Sequence, residues 1–210
     1  MDYSGVRAEV FEFIQKAVNE GLTRASAGNF SIRTEDGNMA ITPAGVGYDV
    51  LRAEEIAIVD LNGNHVDGPK RASSETPMHT SIMRHLPNVG AICHTHSVYA
   101  MTFAVLGKEI PMINLELLMC GAPIPVAKWA CPGSEAGGEV TVDTFKQRPE
   151  LKAMLLRNHG LVTIGANLKE AYSHALDAEV GARVYFQALQ IGKPVELTAD
   201  QVQEVYDVYS

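Results

Sequence analysis

Two short turn signals constrain this chain more than any other feature. Asp36-Gly37 lies between the runs Phe30–Arg33 and Met39–Thr42, and Asn62-Gly63-Asn64 lies between Ile56–Leu61 and a shorter run at His65-Val66. Asp-Gly and Asn-Gly supply the positive φ angles that tight hairpin turns need, so both spacings predict antiparallel strand pairs. Around them the apolar spacing changes to a helical period. Val6, Val10, Phe13, Ile14, Ala17 and Val18 share one stripe, closed by Gly21. Hairpins interleaved with helices favour a mixed α/β sandwich over a purely parallel doubly wound sheet.

The remaining elements follow from the same signals. A helix is expected from Ser73-Ser74-Glu75, with either serine as its cap, Pro77 in its first turn and Pro87 as its stop. Val89–His96 reads as a buried strand and Val98–Leu106 as a helix ending at Gly107, with Met101, Phe103, Val105 and Leu106 as core. Ile124–Trp129 is expected to be a strand, Ser134–Gln147 a helix, Met154–Leu156 through Leu161–Ile164 a strand, and Leu168–Ile191 a long helix. Thr198 is placed to cap a last helix carrying Tyr206 and Tyr209. We find no linker or internal repeat, and residues 1–210 read as one domain.

Composition narrows the function classes. Acidic residues (25) outnumber basic ones (17), a net charge of −8, which argues against non-specific nucleic-acid binding. No apolar run approaches the ~18 residues of a membrane span. The first residues lack a secretory leader pattern, and Cys93, Cys120 and Cys131 are an odd count with no C-x-x-C pair. Reduced thiols in a cytoplasmic protein are therefore expected.

The chemistry-bearing residues lie in five short motifs. In Cys93-His94-Thr95-His96, residues two apart on a strand share a face, so His94 and His96 can offer two imidazoles to one ion. The pair alone leaves both an ion site and two exposed histidines open. His159, in Asn158-His159-Gly160, is either a third nitrogen ligand or a hydrogen-bonded turn residue. Ser73-Ser74-Glu75 combines two hydroxyls, the free N–H groups of a helix start and a carboxylate, which suits an anion such as phosphate. Gly28-Asn29 permits close backbone approach beside an amide, and Ile41-Thr42-Pro43-Ala44-Gly45 is a tight turn.

In this order the five motifs resemble the class II aldolase/adducin family, over most of the chain. The resemblance implies a three-layer α/β/α fold around a central, mainly antiparallel sheet. It implies a homotetramer with intersubunit active sites, acting on a small sugar phosphate. His94, His96 and His159 would hold a divalent ion, Zn2+ or else Mn2+ or Co2+. Glu75 would be a fourth ligand that leaves the ion to act as acid and base. Gly28, Asn29, Gly45, Ser73 and Ser74 would hold the substrate phosphate. The implied reaction is retro-aldol cleavage of a ketose 1-phosphate such as L-fuculose 1-phosphate to dihydroxyacetone phosphate and an aldehyde. A decarboxylase, epimerase or dehydratase of the same fold and a non-catalytic adducin-like module are the alternatives. Two positions depart from the family pattern. Ala44 replaces a Ser or Thr, and Leu115 stands where aldolases of the family place a tyrosine acid. Glu116 beside it, or Tyr206 or Tyr209 near the C-terminus, would have to supply that proton. His79, four residues after Glu75, could support the carboxylate or simply pack.

Overall fold

The computed structural model describes residues 1–209, Tyr209 by its backbone alone. Eight strands form one sheet: β1 (Asn29–Arg33), β2 (Met39–Ile41), β3 (Ala57–Val59), β4 (His65–Asp67), β5 (Ala91–Thr95), β6 (Val126–Ala127), β7 (Ala153–Leu156) and β8 (Gly160–Gly165). Their order is β4-β3-β2-β1-β5-β8-β7-β6. Every neighbouring pair is antiparallel except β6 and β7. Both predicted hairpins form; Arg33 pairs with Met39 across Asp36-Gly37.

Seven helices cover the sheet: α1 (Ser4–Asn19), α2 (Thr76–His85), α3 (Val98–Leu106), α4 (Glu116–Met119), α5 (Glu135–Gln147), α6 (Leu168–Ile191) and α7 (Ala199–Tyr209). Strand alternation splits the core in two. Phe30, Cys93, Leu155 and Leu161 pack with Ile14 of α1, Phe103 of α3, Leu117 of α4 and Ala178 of α6. The opposite residues Ile41, Ile92, Met154 and Val162 pack with Ile82 of α2 and Phe145 of α5. The result is the three-layer α/β/α sandwich.

Several expectations need correction. Neither Ser73 nor Ser74 caps α2. The helix starts at Thr76 with Glu75 in the capping position, and Ser73 Oγ instead accepts the Glu75 N–H at 3.2 Å. The strand at Ile124–Trp129 shrinks to Val126–Ala127, because Pro123 and Pro125 bring no N–H to a ladder. The segment from Met154 to Ile164 is two strands rather than one, reversed at Asn158, which takes a left-handed φ of 57°. The short α4 carries no periodicity and went unpredicted. In α3 only one face meets the core, so Phe103 is buried while Val98, Val105 and Leu106 are exposed. By contrast Thr198 does cap α7: its Oγ1 accepts from Gln201 N, and Gln201 Oε1 accepts from Thr198 N.

β5 is the strand from which the rest is positioned. It pairs with β1 on one side and β8 on the other. Two glycines make that close packing possible. Gly28, at φ +69°, lies so close to the His94 carbonyl that a Cβ would collide with it. At Gly160 a Cβ would sit 2.5 Å from Thr95 O and 3.0 Å from His94 Cε1. The helix that follows β5 is capped from a distance. Ser97 makes no side-chain cap to α3. Glu179 of α6 does so instead, accepting from Tyr99 N at 2.9 Å and Ala100 N at 2.8 Å.

Two stability predictions follow from this packing. Glu179→Ala strands two N–H groups and should lower Tm by roughly 3–6 °C, from about 1–2 kcal/mol of lost capping; an unchanged melting curve would refute the remote cap. Gly160→Ala should cost about 1–3 kcal/mol through overpacking against backbone. Calorimetry of that variant should show a loss that refolding conditions do not recover.

Candidate metal centre and substrate pocket

His94 is the fourth residue of β5 and is fully buried. His96 lies one residue beyond the end of β5 rather than within it. His159 sits in the β7–β8 turn, where the left-handed backbone at Asn158 swings its ring back towards β5. Asn can adopt that conformation at small cost. The three rings face one another with centroids 4.7–5.1 Å apart.

Their Nε2 atoms converge. His94 Nε2 is 3.2 Å from His96 Nε2 and 3.3 Å from His159 Nε2. Two nitrogens bound to one tetrahedral zinc at ~2.0–2.1 Å would lie about 3.3 Å apart. Three nitrogens packed this closely cannot all be satisfied by one another's protons, whereas one shared ion satisfies all three. The residues therefore fit a divalent metal. His94 is oriented for that role: its Nδ1–H donates to Leu161 O at 2.9 Å, which directs Nε2 to the cluster.

Glu75 closes the fourth side. Its Oε2 is 3.1 Å from His94 Nε2 and its Oε1 is 3.6 Å from His159 Nε2. Burial works against the charged carboxylate, but the His94 charge and hydrogen bond, then His159 and the Asn29 amide, hold its pKa well below the usual range. For His94, burial opposes the charge and Glu75 outweighs it, so its pKa is raised. Burial, then the neighbouring imidazoles, push His96 and His159 down to about 4. Both are neutral at pH 7, the form that binds a cation.

Two of the segments expected to hold phosphate are joined directly. The turn at Pro43 bridges Ala72, Ala44 N donates to Arg71 O, and Ser73 N donates to Thr42 O. That antiparallel register carries Gly45 away from Ser73 and Ser74, and Gly45 is not among the residues lining their cavity. The Gly28 loop is tied in by Tyr48, whose hydroxyl donates to Gly28 O at 2.7 Å. Asn29 points into the site, but its amide donates to Glu75 Oε2 at 2.8 Å. Ser73 and Ser74 open onto a cavity of about 630 Å³ together with Lys70 and Arg71. Glu75 and His159 line a separate, smaller crevice with Met78, Lys128, Cys131 and Arg157.

Other candidates lie elsewhere in the protomer. Glu116 begins α4, is exposed, and is not among the residues lining the crevice of Glu75 and His159. Its charge, after burial, helps raise the half-buried Asp177 carboxyl to about 6. Leu115 is half exposed. Tyr206 donates its hydroxyl to Leu118 O at 3.1 Å, and the side chain of Tyr209 lies outside the described residues. His79 is fully buried against Asn29 and Ser31, an arrangement the i, i+4 spacing to Glu75 signalled only in part. Among the described residues no helix is long and apolar enough to cross a membrane.

Comparison with known proteins agrees with this geometry. Residues 8–186 match the model of the Class II Aldolase and Adducin N-terminal domain. A 5-deoxy-D-ribulose 1-phosphate aldolase of Bacillus thuringiensis is 32% identical over 200 residues, covering 95% of this chain and 92% of that protein. An L-fuculose phosphate aldolase of Escherichia coli K12 is 33% identical over 202 residues, 96% and 92% of the two chains. A solved structure of an L-fuculose 1-phosphate aldolase superposes with a TM-score of 0.93 at 28% identity, over 100% of this chain and 98% of the other. With its fold and its histidine cluster on the page, the chain belongs to the class II aldolase/adducin family and is a class II aldolase, a lyase.

Proposed function

We propose that this chain is a divalent-metal-dependent aldolase that cleaves a small ketose 1-phosphate to dihydroxyacetone phosphate and an aldehyde. The observation that carries the proposal is the convergence of three Nε2 atoms opposite a buried carboxylate, next in the chain to Ser73 and Ser74, which open onto a cavity with Lys70 and Arg71. Relatives named for 5-deoxy-D-ribulose 1-phosphate and L-fuculose phosphate support that substrate class. His94, His96 and His159 would hold the ion, with Zn2+ favoured by an all-nitrogen set of three. When bound, the ion supplies Lewis acidity that stabilises negative charge developing on the substrate's oxygens.

The chain's own groups do the rest. Gly28, Asn29, Gly45, Ser73 and Ser74 bind the phosphate and fix which end of the sugar faces the histidines. The loss of a hydroxyl at Ala44 leaves this task to backbone N–H groups and the two serines. Glu75, ionised and adjacent to His94 and His159, takes and returns the proton at carbon. In cleavage the hydroxyl that becomes the aldehyde gives up its proton to a separate group, which returns it in the reverse direction, and Leu115 cannot be that group. Glu116 and Tyr209 are the proposed groups. Glu116 is exposed at the start of α4, so it would serve a neighbouring protomer in a homotetramer with shared active sites. The exposed Val98, Val105 and Leu106 of α3 and Val180 and Val184 of α6 are apolar surface available to such contacts. The site of action proposed is the cytoplasm, in keeping with buried, reduced Cys93 and Cys120.

The test is mass spectrometry of reaction mixtures over a panel of ketose 1-phosphates, with and without chelator. The expected result is chelator-sensitive release of dihydroxyacetone phosphate, restored by added Zn2+, Mn2+ or Co2+. Loss of water or carbon dioxide would replace the aldolase assignment with a dehydratase or decarboxylase one. His94→Ala should lower both bound metal and turnover by more than about 100-fold, with metal content read by elemental analysis. Retention of both would sink the metal-site reading.

A further inference from the structure

Beneath the carboxylate of Glu75 lies a second row of buried polar groups that metal binding does not use. Asn29 and Ser31 are two apart on β1 and face α2; Glu75 and His79 are four apart at the start of α2 and face β1. Two strand residues rise about 6.6 Å and four helical residues about 6 Å. The two periods therefore match, and the four side chains meet as a ladder. All are buried: Asn29 is 4% exposed, Ser31 0%, Glu75 7% and His79 0%.

The direction of each hydrogen bond in the ladder is determined by the one above it. Asn29 presents Nδ2 to the carboxylate and donates to Glu75 Oε2 at 2.8 Å. Asn29 Oδ1 then faces His79 Nε2. That oxygen accepts only, so the proton of His79 resides on Nε2. Nδ1 is left as an acceptor and takes the hydroxyl proton of Ser31 at 2.6 Å. Burial holds the His79 pKa down to about 3, with only partial compensation from Glu75. A neutral ring has a single proton, and the ladder leaves it one place.

We propose that His79 is a positioning residue. Acting through Asn29, it keeps the Glu75 carboxylate aimed at His94 and His159, and Ser31 completes the row by donating to His79 Nδ1. Without His79 the buried Asn29 Oδ1 loses its donor, and the amide must shift away from Glu75 Oε2 to find another. The carboxylate then loses the donor that fixes its aim. The effect on rate rests on the role given to Glu75 under the proposed function; the ladder itself does not.

Two measurements separate these levels. In metal-free wild-type protein, long-range ¹⁵N–¹H NMR should show His79 as the Nε2–H tautomer with an unprotonated Nδ1. An Nδ1–H tautomer would overturn the proposal whatever the enzyme's activity. In metal-loaded protein, His79→Phe should lower kcat for ketose 1-phosphate cleavage about 10–100-fold, the range of a lost hydrogen bond to a charged group, with KM changed less than about threefold. His79→Gln should recover kcat to within about fivefold of wild type, because its amide can donate to Asn29 and accept from Ser31. If the phenylalanine variant does not fold, Ser31→Ala, which leaves His79 Nδ1 without its donor, provides the same reading: a smaller loss confined to kcat with the Nε2–H tautomer kept. Equal losses in folded His79→Phe and His79→Gln, or a loss in KM alone, would show that His79 merely packs. No cleavage by the wild type itself would overturn the aldolase reading and leave the ladder to be judged by the tautomer.

Discussion

The structure depends on a buried ionic contact at the centre of its sheet. His94 is fully buried on the strand that has partners on both sides, and Glu75 reaches it from α2 at 3.1 Å. Neither charge is tolerable in that position alone, since an unpaired buried ion costs several kcal/mol. Each is held by the other and by polar groups behind it: Leu161 O for His94, the Asn29 amide for Glu75. A divalent ion placed among three imidazoles would take over the role of cation and release Glu75 for proton transfer. The same contact ties α2 to β5, so the chemistry and the packing of that layer share one anchor.

Close backbone approach is the second condition. Gly28 and Gly160 press on the carbonyls of His94 and Thr95 from the two neighbouring strands, where any Cβ would collide. That proximity lets loops after β5 and β7 share one cluster, and it puts the Gly28 loop against the Pro43–Gly45 turn. The site is consequently split. One edge, where Ser73 and Ser74 open with Lys70 and Arg71, suits an anion; the other is the nitrogen cluster, suited to a cation. A substrate bearing a phosphate at one end and vicinal oxygens further along matches that polarity.

Much of this was legible in the residues, and the failures have physical causes. The hairpin at Asp36-Gly37, the bounds of α3 and α6 and the cap at Thr198 follow from local turn and capping chemistry. The Ser73 cap failed because Ser73 N and Thr42 O pair across the chain, so a long-range bridge keeps that segment extended and delays the helix to Thr76. The merged strand from Met154 to Ile164 failed because Asn158 is a turn residue only once His159 has somewhere to point. α4 has too few residues to show a period. Val105 and Leu106 were taken for core because an apolar helix carries no mark of which face its neighbours will cover.

The sequence by itself determined the residue types and their local spacing. Three histidines, a carboxylate after two serines, glycines at the approaches and two hairpin turns define a family and a metal-suited donor set, because local geometry and ligand chemistry are short-range properties. Only the tertiary structure decided that His96 and His159 Nε2 come within 3.2 and 3.3 Å of His94 Nε2, that Glu75 faces them, and that Asn29, His79 and Ser31 form a directed row behind it. Those relations join β1, α2, β5 and the β7–β8 turn across separations of 19 to 84 residues. They arise from strand pairing and from the match of a strand's two-residue rise to a helix's four, which no single segment contains.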